Sequence, residues 1–207
     1  RMACICFIGS SRMWTPGLAT DLMMVFDEPL EIRMLDLDPK AAQACVEWGE
    51  KAVRFHGRKD RFIPFTDRRA ALKGADAVLI TISTAGERGV ACDQQIPEKY
   101  GIYATVADTA GPGGWSRNIR NIPVFRRFAD DLQDVCPTAF VANYSNPMSA
   151  LTATLQKCCR NPSVGLCHAY FETKDVIQKV FGLTDWGKIS ISIAGMNHFT
   201  WVVEFKI

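Results

Sequence analysis

A thiol stands beside an imidazole in GLCHAY, residues 165–170, and a second imidazole closes GMNH, residues 195–198. Three chemistries could use these groups. Cys167 can be a small buried hydrophobe, a nucleophile with His168 as its base, or a cation ligand together with His198, 31 residues further on. Adjacent residues on a strand point to opposite faces, which weakens the nucleophile pairing. A thiolate and one imidazole, completed by oxygen donors, suit a borderline divalent ion and leave positions for a substrate chelating through two oxygens. The separation is too wide for local spacing to specify a metal site, so the pattern alone leaves all three readings open.

Other loops carry polar groups that could serve the same centre. IGSSRMW, residues 8–14, is a turn where the small Gly9, Ser10 and Ser11 let backbone N–H groups approach a pyrophosphate at a helix start. The turn lacks the full three-glycine fingerprint. Asp36 follows Gly9 by 27 residues and ends an apolar run, where an acid accepts hydrogen bonds from the ribose hydroxyls of NAD and repels the extra phosphate of NADP. Its bland role is to cap the helix that DLDPK opens. ISTAGER, residues 82–88, adds Thr84 to the dinucleotide contacts, and Asn143 at the head of NYSNPM, residues 143–148, is assigned there too. In the same segment Asn146 precedes a proline, which pushes it toward extended backbone at a helix entry that it could simply cap. ADTAGPGGWSRNIR, residues 107–120, sets Asp108 beside a mobile Gly/Pro turn and two arginines, Arg117 and Arg120.

These loops lie between elements of a regular rhythm. Buried strands are expected over 3–9, 31–38, 61–66, 75–83, 138–145 and 163–168, and helical stretches over 15–27, 39–55, 67–74, 116–136, 146–159 and 169–182. Strands alternating with helices predict an α/β, doubly wound, Rossmann-like parallel sheet. In such a sheet ligands bind at the carboxyl ends of strands near the topological switch, where the loops above fall. After residue 187 the style changes to two β-rich runs. Residues 1–187 are therefore expected to form an NAD-binding domain, and 188–207 to begin a second, mixed α+β region. The last residues are still strand-like and apolar, which reads as a fragment of a longer protein.

Composition excludes several partners. A chain of 207 residues, 48% hydrophobic and 22% charged, can bury roughly 70% of its unfolded surface. A formal charge of +2 gives no basic stripe for nucleic acid. No apolar run reaches a membrane span and no secretory signal opens the chain, so a cytoplasmic location is expected. The eight cysteines include no CxxC pair and read mostly as buried hydrophobes.

Taken in order, FIGSS, LATDL, MLDLD, TDRRAALKGADAVLITI, IPEKYG, ADTAGPGGWSRNIRNIPV, NYSNPM, GLCH and GMNHFTW resemble glycoside hydrolase family 4 over nearly the whole chain. The resemblance implies hydrolysis of O-glycosidic bonds by NAD-dependent oxidation at carbon 3, metal-assisted elimination and water addition, an exception to the two-carboxylate scheme. It implies NAD and a divalent cation, commonly Mn, with Cys167 and His198 as metal ligands and Asn146, Arg120 and Asn197 at the sugar. Asp108, Asn146 and His168 are the catalytic candidates, with Asp108 assigned to hydroxyl binding or acid catalysis. A small-molecule sugar substrate and a homo-oligomer, dimer or tetramer, are implied as well.

Two departures stand out. Ser11 replaces a glycine of the family turn, and the tyrosine base for carbon 2 matches none of Tyr100, Tyr103, Tyr144 and Tyr170, so it is expected beyond residue 207. The sugar-phosphate branch carries Gln-Glu-Thr before its glycine turn and Asp after the metal-binding Cys. Here ADT and His168 stand instead, which favours the non-phosphorylated α-linked branch of α-glucosidases, α-galactosidases and α-galacturonidases. An NAD-dependent 2-hydroxy-acid dehydrogenase and a non-catalytic NAD-binding protein are the alternatives.

Overall fold

Along the first strand, β1 (Ala3–Ile8), alternate side chains enter two separate cores. Cys4, Cys6 and Ile8 pack with Phe125, Phe128, Leu132 and Leu151, whereas Ile5 and Phe7 pack with Ala19, Met23 and Val46 on the opposite face. A strand covered on both sides has to be apolar throughout, which is why the run ACICFI shows no alternation of polarity. Burying a side chain such as Phe7 or Phe125, both fully inaccessible, contributes roughly 1.5–3 kcal/mol.

The computed structural model describes residues 1–10, 14–104 and 108–207. In chain order β1 is followed by α1 (Thr15–Val25), β2 (Leu30–Leu35), α2 (Pro39–Phe55), β3 (Arg61–Phe65), α3 (Arg68–Leu72), β4 (Ala77–Ile80), α4 (Gly86–Glu98), α5 (Gly111–Val135), β5 (Phe140–Asn143), α6 (Met148–Cys158), β6 (Ser163–Gly165) and α7 (Ala169–Phe181). The six strands form one parallel sheet in the order β3-β2-β1-β4-β5-β6. Helices α1 and α2 cover one face, and α3, α5 and α6 cover the other. This is the expected doubly wound, Rossmann-like sheet. Strand order reverses between β1 and β4, so their carboxyl ends flank a crevice.

Helix starts follow side-chain chemistry. Asp38 accepts a hydrogen bond from the Lys40 amide ahead of α2, where Pro39 loses nothing by lacking an N–H, and Asp67 accepts from Ala70 ahead of α3. Two helices depart from expectation. The sequence gives no sign of α4, because Gly86, Gly89 and Pro97 break its apolar period. α5 begins at Gly111 and not at 116, with Pro112 in its first turn, so the stretch expected as a mobile Gly/Pro turn is a helix start.

A second sheet follows, an antiparallel hairpin of β7 (Ser190–Met196) and β8 (Phe199–Lys206) joined by Asn197 and His198. Phe199 and Trp201 share one face of β8, a bulge opposite Ser192 and Ile193 puts Phe205 on the other, and all three are exposed. All eight cysteines are free thiols, five of them buried. Burial, the largest cause in each case, pushes the Cys4 and Cys136 thiols up to about 11, so these are inert packing groups as expected. Among the described residues no helix is long and apolar enough to cross a membrane.

Candidate functional site

A cavity of about 1430 Å³ opens at the carboxyl ends of the sheet strands. It is larger than the roughly 300–1,000 Å³ of an ordinary small-molecule pocket. At one end it is bounded by Gly9, Leu35, Asp36 and Thr66, and at the other by Asn146, Cys167, His168 and His198.

The first end is built from backbone. Gly9 adopts φ 102, and an added Cβ would lie 2.4 Å from the Thr81 carbonyl oxygen, so only glycine fits. Its amide donates to Leu35 O at 2.8 Å, and its carbonyl accepts from Thr81 Oγ1 at 2.8 Å and Thr15 Oγ1 at 3.0 Å. Asp36 stands just past β2 and accepts the Ser10 amide at 2.8 Å and the Asp38 amide at 2.9 Å. These bonds occupy one lone pair on each carboxylate oxygen, leaving the second on each for ribose hydroxyls. The Ser10 hydroxyl is buried without a partner among the described residues, and Ser10 contributes no wall to the cavity. Ser11 lies outside the described residues.

The second end is built from side chains on separate segments. Asn146 and His198 both line the cavity, and both are held from behind by Asp108: Asn146 Nδ2 donates to Asp108 Oδ2 at 3.0 Å, and His198 Nδ1 lies 3.0 Å from Asp108 Oδ1. The imidazole thus keeps Nε2 available to a cation, the arrangement in which a carboxylate fixes the ring and tautomer of a ligating histidine. His198 reaches this position through a left-handed backbone, φ 61, in the hairpin turn. Such a conformation in a non-glycine residue costs of order 1 kcal/mol and recurs where side-chain placement matters. Gly114 lets the first turn of α5 press against the segment carrying Asp108, since a Cβ there would sit 2.2 Å from Thr109 O. Cys167 is half-buried and its sulfur accepts from the Ala169 amide at 3.4 Å. His168 is exposed and stacks near Phe171, centroids 5.5 Å apart, with no bond to Cys167 among the described contacts.

The structure places several of the expected residues away from the cavity wall. Asp108 does not line the cavity, and its carboxylate contacts Asn146 and His198. Arg120 is turned away into an ion pair with Asp93, at 2.5 and 2.8 Å, and binds Ser116; Arg117 lines the cavity in its place. Asn197 is buried against Thr109 at 3.5 Å. Asn143 is fully buried: its amide donates to Ser145 O, Met148 O and Thr152 Oγ1 at 3.2–3.3 Å and accepts from the Ser145 amide, so it shapes the loop and makes no wall. Thr84 does line the cavity, and its hydroxyl donates to Asn121 Oδ1 at 2.6 Å, while Asn121 Nδ2 donates to Asn146 O at 3.0 Å. Asn121, fully buried, was missed by sequence reasoning; its signal is a polar residue four before Phe125 on the buried stripe of α5. Tyr144 also lines the cavity, and burial, then the Asp21 carboxylate, raise its hydroxyl above the ordinary value, so it holds its proton more tightly than a free tyrosine.

A sequence profile described as Family 4 glycosyl hydrolase matches residues 4–183. The chain belongs to this family. Among curated family relatives, an α-galactosidase of Bacillus subtilis (strain 168) is 35% identical over 98% of this chain and 47% of its own length. An α-galacturonidase of Lachnoclostridium phytofermentans is 35% identical over 93% of this chain and 43% of its own. The chain therefore spans less than half the length of these family 4 proteins. The crystal structure of lplD from Bacillus subtilis superposes with a TM-score of 0.87 at 31% identity, over 99% of this chain and 48% of that one. A 6-phospho-α-glucosidase from gut microorganisms, solved in complex with NAD and Mn2+, gives 0.84 at 20% identity, over 99% and 47%, and shares the fold.

Proposed function

We propose that this chain forms the cofactor- and metal-holding part of a family 4 glycosidase, which hydrolyses the O-glycosidic bonds of non-phosphorylated α-glycosides with NAD and a divalent cation, Mn2+ or a similar ion. The observation that carries this reading is one cavity shared by Gly9 and Asp36 at one end and by Asn146, Cys167 and His198 at the other. The donor set fits both groups. A glycine turn with an acid beyond the second strand suits NAD, and a thiolate with an imidazole suits a borderline cation. When bound, NAD supplies a reversible two-electron acceptor for sugar carbon 3 and the cation supplies Lewis acidity at the adjoining oxygen.

The chain's own residues orient the reactants. Asp108 holds His198 with Nε2 free to ligate and fixes the Asn146 amide, whose Oδ1 also accepts from the Met148 amide at 3.2 Å. One N–H proton and one lone pair of that amide are left for sugar hydroxyls. No three His, Cys, Asp or Glu groups among the described residues form a cation cage, so the remaining donors would be substrate oxygens and water. The names of the α-galactosidase and α-galacturonidase relatives support an α-linked, unphosphorylated sugar. Arg117, half-buried on the cavity wall with no ion-pair partner among the described residues, suits one that bears a carboxylate. In this reading residues 188–207 begin the second region, which delivers His198 to the site.

The test, run on the whole glycosidase of which this chain forms a part, is a panel of nitrophenyl α-glycosides, with and without a 6-phosphate, incubated with NAD, Mn2+ and a thiol reductant. Nitrophenol release from unphosphorylated sugars without accumulation of NADH, and with solvent deuterium entering carbon 2, is expected. Release from the 6-phosphates alone contradicts the substrate assignment, and net NADH from a 2-hydroxy acid contradicts the reaction.

A further inference from the structure

On the β2–β3 side of the cavity, away from Cys167 and His198, stands a cation that the chemistry above does not use. Arg68 opens α3 and reaches across to α5. Its Nε donates to Asp131 Oδ2 at 2.5 Å and its Nη2 pairs with the same oxygen. Its guanidinium carbon lies 5.0 Å from the centre of the Phe128 ring. Asp131 and Phe128 are both buried, so the guanidinium is gripped by a carboxylate and backed by a phenyl ring. A third of the side chain, 33%, remains exposed, and Arg68 lines the cavity beside Asp36, Thr66 and Val124. The result is a restrained, charged guanidinium, partly open to the cavity that Asp36, the acid that would hold the adenosine ribose, also lines.

We propose that Arg68 is the platform on which the adenine of the dinucleotide stacks, and hence a determinant of cofactor affinity; this rests on the NAD reading above. A planar, weakly hydrated guanidinium stacks on aromatic faces, and a purine presents such a face. An ammonium has no plane to offer. Restraint by Asp131 and Phe128 means that little side-chain freedom is lost on stacking.

Calorimetric titration of this chain with NAD and with ADP-ribose, beside thermal melting, tests the assignment. For Arg68→Ala both ligands are expected to bind about tenfold more weakly, as for removal of a stacking partner. Arg68→Lys keeps the charge that pairs with Asp131 and is expected to restore the melting temperature without restoring affinity. Unchanged affinity for ADP-ribose in Arg68→Ala, or full recovery of affinity by Lys, overturns the platform while leaving the NAD reading intact. Failure of the unaltered chain to bind either ligand contradicts the NAD reading itself, and the platform with it.

Discussion

The two ends of the cavity are held in different ways. At the Gly9–Asp36 end, the position of Gly9 is set by three hydrogen bonds to its own amide and carbonyl, with the Thr81 carbonyl where a Cβ would stand. At the Cys167–His198 end, position is set by one carboxylate, Asp108, reaching two side chains from the β5–α6 loop and the hairpin turn. A backbone-built region is sensitive to added volume and indifferent to surface charge. A region assembled around a half-buried carboxylate is sensitive to charge and tolerant of small changes in shape.

Breaking the first end should therefore have the largest effect. Gly9→Ala adds a Cβ 2.4 Å from a carbonyl oxygen at φ 102, and is expected to destabilise the fold by about 3 kcal/mol or more and to abolish NAD binding. Urea unfolding with an NAD titration measures both.

Next comes the ion pair of Arg120 and Asp93 that braces α4 against α5. Burial alone would raise the Asp93 carboxyl, but hydrogen bonds from Arg120 and Ser116 and the charge of Arg120 hold it below the usual carboxylate range. A lowered folded value means that the pair stabilises above the ordinary carboxylate pKa, and that this contribution is lost as pH falls through the folded value. Arg120→Ala leaves a buried, unpaired carboxylate and is expected to cost about 3 kcal/mol near neutrality. The deficit should shrink in acid, where Asp93 becomes protonated. Unfolding curves at about pH 7 and about pH 4 check the sign.

A smaller and more selective effect is expected from Asp108→Asn. The volume is conserved and the charge behind His198 is lost, so cation affinity should fall ten- to a hundredfold while NAD affinity stays unchanged. Parallel titrations with Mn2+ and NAD sharpen the contrast between the two ends.

Much of this was legible in the chain. Unbroken apolar runs reported strands covered on both faces, and the Gly9–Asp36 spacing reported the first two strands with the turn between them. GLCH and GMNH, though distant in sequence, do border one cavity. What stayed hidden was hidden for physical reasons. Helix α4 carries glycines and a proline that erase the period, and tertiary packing of Gly89 and Asp93 against α5 overrides them. Sequence shows that Asp108 and Arg120 are charged, yet not which partner takes up that charge: Arg120 is neutralised by Asp93, and Asp108 lies one layer behind the wall it was expected to form. Asn143 and Asn146, three residues apart, differ only in the direction of their amides, one locked into the loop and one facing the cavity.

The central claim is that Cys167 and His198 hold one cation between them. Titration of Mn2+ into this chain, followed by the loss of its free-ion electron paramagnetic resonance signal, tests it directly. A single tight site is predicted in the unaltered chain, weakened more than tenfold in Cys167→Ser and again in His198→Ala, with melting temperature and NAD binding preserved. Unchanged Mn2+ affinity in either variant would contradict the claim.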